Sequence, residues 1–325
     1  MTVPTNLYQK ASLKGNREDL LEKIYNTSPS EVPLSTSFGR TTAITDFHEW
    51  QTDALGSASA SNKMIDGDDV TLLDAQTATV RIGNHLQIFN GTVGVSRRAN
   101  IVKKAGRGAE MAYLKGKKML ELKRNIEAMI VSPTQVAIAA TTSVAGQSGG
   151  LGVQCVSNPL HNGAGATAAW TSGAPTAAIT AGTNRTFIKT LLDTACQNIF
   201  TNSGQFAEAL IVSPAHKALF SAFASVAQNR IDVKGGKNSQ ATIVGGAEVY
   251  LSDFGGLTVI PHYLMAGSDT AYVINSDYAD LAFLDGFKTT ELAKTGDSDK
   301  VLITADCCLA VRAPTAFAKI TNLTP

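Results

Sequence analysis

Aromatic side chains are scarce: they make up 6% of the 325 residues, and only two are tryptophans. A core short of rings must be filled by small and branched aliphatic groups. The abundance of Ala, Thr, Gly and Ser predicts a sheet-rich protein with many turns. Charge of one sign is missing too, since 28 basic residues face 27 acidic ones. A net charge of +1 gives no strong field for nucleic acid or an anionic membrane, and it lets like copies approach. No apolar run approaches the roughly 20 residues that span a bilayer. The N-terminus lacks the apolar core of a secretion signal, so no membrane partner is expected. Four cysteines appear, without a CxxC or Cys/His metal spacing. The adjacent Cys307 and Cys308 would point to opposite faces of a strand, which predicts reduced thiols and an intracellular setting for folding.

What is present allows two or more cores, with 44% hydrophobic residues over this length. Residues 1–43 read as an arm. In it, "NREDLLEKIYN" (16–26) forms one short helix, with Asn16 as N-cap and Leu20, Leu21 and Ile24 on one side. Pro29 and Pro33 are expected to stop regular structure after it. Residues 53–96 begin polar and turn-prone and continue as broken strands. Thr79, Arg81, Gly83 and His85 alternate with Val80, Ile82, Asn84 and Leu86, the pattern of a half-exposed two-stranded ribbon that needs partner surface. Residues 105–131 predict a strut helix of roughly 40 Å, with Ala112, Met119, Leu122, Ile126 and Met129 on its buried face. The Gly/Ala-rich stretch 141–183 reads as an extended loop or linker.

An α/β lobe is expected over about 184–280. Ile188, Leu191, Leu192, Ala195 and Ile199 mark a helix closed by "NSG" at 202–204, and strand "EALIVS" leads to Ser213 capping a helix with Pro214 at its first position. Strands "AEVYLS", "LTVIPH" and "AYVIN" follow. In "VLITADCCLAVR" (301–312), Val301, Ile303, Ala305, Cys307, Leu309 and Val311 keep strict period two, the mark of a long strand with a fixed register.

A search for chemistry finds little. "ITDFHEWQTDAL" (44–55) gathers Asp46, His48, Glu49 and Asp53, which suggests a metal or acid/base set. On a strand, however, Asp46, His48 and Trp50 face one way and Phe47, Glu49 and Gln51 the other. The other four histidines show no paired spacing, so structural hydrogen bonding is the favoured reading. "DGDD" (66–69) reads as an acidic turn because it lacks the alternating ligands of a calcium loop. Phosphate-wrapping and nucleophile-elbow motifs are missing, and no catalytic residue, cofactor or metal is assigned.

Several stretches, in order, resemble a known family. "REDLLEKIYNTSPSEVPL", "HEWQTDAL", "AGRGAEMAYLKGKKMLELKRNIE", "GLGVQCVSN", "VYLSDFGGLTVIPHYLM" and "FKTTELAKTGDSDKVLITADCCLAVRAPTAFAKITNL" look like a tailed-bacteriophage major capsid protein, of the group typified by phage SU10. The resemblance implies an α+β, Hong Kong 97-type fold. Its parts would be an N-terminal arm (1–43), a peripheral-domain strand (44–52) and an extended loop (53–96). The peripheral domain with its spine helix would follow (97–145), then a Gly/Ala-rich elaboration (146–183), an axial domain (184–284) and a return to the peripheral domain (285–325). It also implies a non-enzymatic homo-oligomer of pentamers and hexamers in a virion, assembled in the host cytoplasm. Packaged double-stranded DNA would be touched only weakly and nonspecifically, and portal, scaffold or cement proteins are further partners it leaves open.

The assembly contacts expected are the loop with Lys63, Asp66, Asp68 and Asp69, the basic group Arg97, Arg98, Lys103 and Lys104, and the charged turn with Lys294, Asp297, Asp299 and Lys300. Two rival readings are an encapsulin-like compartment shell and, more remotely, a metal-dependent hydrolase built on His48.

Overall fold

The computed structural model describes residues 24–67, 76–223 and 248–324. The helix expected at 16–26 reaches these residues only at 24–26, which are not helical; the rest of it, with Asp68 and Asp69, lies outside them. Strand β11 (Ser298–Val311) runs where the alternation predicts, and Val301, Ile303, Ala305, Cys307, Leu309 and Val311 are all buried. It pairs antiparallel with β10 (Ala279–Leu292) on one side and β4 (Gln87–Ser96) on the other. A parallel edge strand, β1 (Gly39–Thr42), completes a sheet ordered β1-β10-β11-β4. Strand β4 alternates cleanly, burying Phe89, Val93 and Val95 while Ile88, Asn90 and Thr92 face solvent. This corrects the ribbon reading. Residues 87–96 belong to the sheet, and the ribbon is β2 (Phe47–Thr52) paired with β3 (Val80–His85).

Against the apolar face of that sheet lies α3 (Glu110–Val131). It starts five residues later than expected, because Gly106 at φ +74° and a bridge between Lys104 and Arg107 hold a turn there. At 1.5 Å per residue its 22 residues span about 33 Å. Leu122, Ile126, Met129, Ile130 and Val131 are buried, whereas Ala112 is exposed and Met111 takes its place against the core.

One charged group sits on the buried stripe. The Glu127 carboxylate is fully enclosed and accepts the backbone N–H groups of Leu34 and Ser35, each at 2.8 Å. His262 Nε2 lies 2.9 Å from the same carboxylate, and its Nδ1 accepts from Leu264 N, which places the ring proton on Nε2. Leu34 and Ser35 lie in α1 (Pro33–Ser37), so Pro33 opens a helix where a stop was expected. At that first position its missing N–H is no loss. Residues 24–32 carry no helix or strand, as the prolines predict. Leu34 and Phe38 are buried in the core around α3.

Part of the stretch read as a linker is instead core: residues 148–155 are buried, while most of 141–147 and 159–183 stays exposed or half-buried. Past Cys307, β4 no longer covers β11, and side chains take its place. Leu309 O accepts from Asn84 Nδ2 (2.7 Å) and Gln154 Nε2 (3.1 Å), Leu309 N donates to Ser148 Oγ, and Val311 N donates to Gln154 Oε1. All three of these side chains are fully buried. A short helix, α4 (Leu151–Gln154), follows, and its glycine is sterically required. A Cβ on Gly152 would lie 2.0 Å from Pro133 O. Lys319 Nζ, also enclosed, donates to Gly152 O.

The second sheet is six-stranded, ordered β5-β12-β9-β6-β8-β7. Its strands are β5 (Pro159–Leu160), β6 (Ala209–Val212), β7 (Val249–Ser252), β8 (Gly255–Pro261), β9 (Ala271–Ile274) and β12 (Ala318–Ile320). Period two divides it: Ala209, Ile211, Tyr272 and Ile274 face the α3 core, while Leu210, Val212, Ala271 and Val273 pack with α5 (Lys189–Ser203) and α6 (Pro214–Ser221). The local signals hold here. Gly204 closes α5 at φ +67°, and Ser213 Oγ accepts from His216 N at the start of α6. A short helix, α2 (Arg97–Ile101), follows β4 and was not expected.

Two measurements test this core. Glu127→Ala strips the neutral His262 ring and two α1 amides of their acceptor, so urea unfolding should show a loss of about 3 kcal/mol or more, at about 1–3 kcal/mol for each buried donor left unpaired. Burial lowers the Lys319 pKa to about 8, with the neighbouring Cys155 opposing it. The folded protein therefore binds fewer protons than the unfolded chain between pH 8 and 10.5. Wild-type stability should rise with pH across that window relative to Lys319→Met, by up to about 3 kcal/mol. A pH-independent gap between the two proteins would show that the amine is not dehydrated.

Candidate assembly surfaces

The sequence of the β10–β11 turn is charged and carries Gly296 at φ +96°. Folding brings it against the first residues of α2, some 200 positions away. Ser96 caps that helix through its Oγ, and Arg97 N donates to Asp297 O (3.1 Å) while Arg97 Nε lies 2.9 Å from Asp297 Oδ1. In the same turn Lys294 Nζ sits 2.6 Å from Asp299 Oδ1, and that hydrogen bond raises its pKa above the ordinary lysine value. Lys300 donates to Thr295 Oγ1. All of these ion pairs are solvent-exposed, and such pairs contribute only about 0–1 kcal/mol each. Stability of the single chain gives no account of gathering them.

Lys104 behaves differently from its neighbours. Its side chain turns inward, 3.4 Å from Glu110, which also takes Arg107 at 2.6 Å. Arg98 and Lys103 stay exposed and form no ion pair among the described residues, and the apolar Ile101 and Val102 between them are exposed as well. The result is a mixed basic and apolar corner.

Lys63 and Asp66 are exposed in the loop between β2 and β3, with Met64 and Ile65 between them at 62% and 76% exposure. Leu55, where the loop leaves β2, is wholly bare. The root of the ribbon has support that sequence reading missed. Gly83 N donates to Gly173 O, Trp170 meets Trp50 edge-on at 6.2 Å, and Arg81 pairs with Glu49 across the strands. Between this root and the body runs a groove of 830 Å³. Val80, Ile82, Val156, Trp170 and Pro314 give it an apolar lining, and Asp53, Asp277 and Arg312 supply charge.

His48 lies half-buried beside Trp50. Dehydration lowers its pKa, and the charge of Asp280 opposes the shift. Among the described residues no three His, Cys, Asp or Glu side chains gather as a metal set, and no helix is long and apolar enough to cross a membrane. All four cysteines are buried free thiols, and dehydration pushes Cys155 and Cys308 up to about 12. Glu127 and the groove were not picked out from the sequence. A carboxylate on the apolar stripe "IEAMI" was the available signal for the first; nothing local signals the second.

Comparison with known proteins agrees with this geometry. The chain is 30% identical over 132 residues to the major capsid protein of Escherichia phage Phieco32, a match covering 41% of this chain and 37% of that protein's length. Among solved structures, the cyanophage A-1(L) capsid asymmetric unit matches with a TM-score of 0.60 at 11% identity, over 99% of this chain and 100% of that one. A Gordonia phage Cozz chain gives 0.58 at 11% over 100% and 99%, and the capsid of a native GTA particle gives 0.59 at 11% over 96% of each. At such identities these likenesses show the fold, which is the capsid-type α+β fold expected. The family model for the SU10 major capsid protein matches residues 4–324. With nearly its whole length matched, the chain belongs to the SU10 major capsid protein family, whose members are structural and not enzymes.

Proposed function

We propose that this chain is the repeating subunit of a tailed-phage head, forming pentamers and hexamers of an icosahedral or prolate shell around double-stranded DNA. The observation that carries the reading is the family match over residues 4–324. The exposed chemistry supports it. Apolar side chains at 55, 64 and 65 and the corner at 97–103 have no covering among the described residues, as expected where siblings supply the cover. In this reading 1–43 is the arm, and the ribbon with its tip is the projecting part of the extended loop (53–96). Residues 97–145 and 285–325 form the peripheral domain, 146–183 is its Gly/Ala-rich elaboration, and 184–284 is the axial domain holding the second sheet. Many weak contacts per subunit let misplaced copies dissociate while a closed shell persists. The near-zero net charge suits weak, nonspecific contact with packaged DNA. Portal, scaffold or cement proteins are partners that such a head takes, and the mature product resides in the virion after assembly in the host cytoplasm.

Electron microscopy and sedimentation of the protein expressed alone test the proposal. Shells or capsomers are expected, and a persistent monomer at high concentration contradicts it. Replacing Arg97 and Arg98 together by Ala should lower particle yield severalfold. Subunit stability should move by less than about 1 kcal/mol, since the one ion pair removed among the described residues is exposed. Normal particle yield would exclude the corner as an assembly contact.

A further inference from the structure

We infer that the basic surface along α2 and α3 faces the lumen of the shell and holds phosphates of the packaged double-stranded DNA. The inference rests on the shell-subunit reading and names the surface that meets the nucleic acid. A net charge of +1 hides a sharp division. Residues 97–124 carry ten of the chain's 28 basic side chains and two of its 27 acidic ones, a balance of +8 against −7 for the rest. Folding does not cancel that excess. Arg97 pairs with Asp297, Lys104 and Arg107 share Glu110, and Lys118 pairs with Glu121. Arg98, Lys103, Lys115, Lys117, Lys123 and Arg124 form no ion pair among the described residues, and Lys117 and Lys123 are exposed. Helix phase directs the strongest part of this charge. Lys117 and Arg124 lie seven residues apart on one side of α3, roughly opposite the stripe of Leu122, Ile126 and Met129 that meets the sheet. The other face of that sheet shows Ile88, Asn90 and Thr92 along β4, which offer no cation. The subunit is therefore two-sided, and a polyanion with one charge per roughly 1.7 Å of its axis favours the cationic side. Each contact is weak, and many copies lining one lumen multiply it.

Fluorescence anisotropy of a labelled 20-base-pair duplex of arbitrary sequence, mixed with unassembled protein, tests the surface. Neutralising about three phosphates gives a slope of about −3 in log affinity against log salt, a loss of about 40-fold between 50 and 200 mM. Lys117→Glu with Lys123→Glu should lower the affinity at least tenfold and make the slope shallower by about two. Lys288→Glu, an exposed control on β10, should leave both within twofold. The Lys117/Lys123 variant should still form particles when expressed alone. Unchanged duplex binding by it, or lost particles with normal duplex binding, overturns the inference and leaves the shell reading intact. Tighter binding of polyglutamate than of duplex, charge for charge, overturns it in favour of an acidic protein. Orientation has its own readout. Plasmid-length duplex added to closed wild-type shells should stay unbound, and binding there as tight as to unassembled protein overturns the lumenal placement. Failure of the wild type to form particles overturns the shell reading and that placement with it.

Discussion

Glu127 is a charge in a place where charges are expensive. An isolated carboxylate in an apolar interior is disfavoured by several kcal/mol, and only fixed donors offset that penalty. Here the donors come from two directions: the first amides of α1 and the imidazole of His262 beyond the end of β8. An apolar contact at this junction would tolerate small slips, but a carboxylate with three donors does not, because any slip leaves a buried polar group unpaired. The junction therefore fixes where the chain leaves α1 toward the N-terminus, relative to the long helix.

A related device holds the ribbon. Asn84 belongs to β3, yet its amide reaches Leu309 on the central strand, and its Oδ1 accepts from Gly149 N. The root of the ribbon is thus wired to β11 by the same side chains that stand in for a missing strand. Polar groups of this kind are directional where apolar packing is not. They produce a body with a rigid attachment, beyond which Leu55, Met64 and Ile65 stay exposed.

The parts legible in the sequence are those decided locally. The alternation along 301–307 depends only on which face is more exposed, the Ser213–Pro214 start of α6 on one side chain and one ring, and the Gly204 stop on a backbone angle. What the sequence hides is decided by distant partners. Residues 87–96 resemble the ribbon residues before them until β11 is supplied as a neighbour. The Gly/Ala-rich stretch reads as a linker although Gly150 and Gly152 in it mark close approach to the end of α3, not freedom of the backbone. Of the surface candidates, composition revealed the charges at 97–104 and 294–300, but not that Arg97 and Asp297 meet while Lys104 turns inward.

Rigid attachments and exposed apolar loop residues together explain a composition without a dominant charge. A monomer that kept Leu55, Met64 and Ile65 in water would carry an association hazard with no gain in its own stability. Strong uniform charge would suppress that hazard by repulsion, and it would equally prevent hundreds of copies from packing edge to edge. With the two signs nearly balanced, repulsion no longer sets the limit on approach, and what is left to discriminate between surfaces is local charge pairs around apolar residues. Such pairs are weak singly and screened by salt. Selectivity then comes from matching several of them at once, which is possible only when the root of each projecting segment is held in place. The buried polar junctions at Glu127 and Asn84 supply that condition.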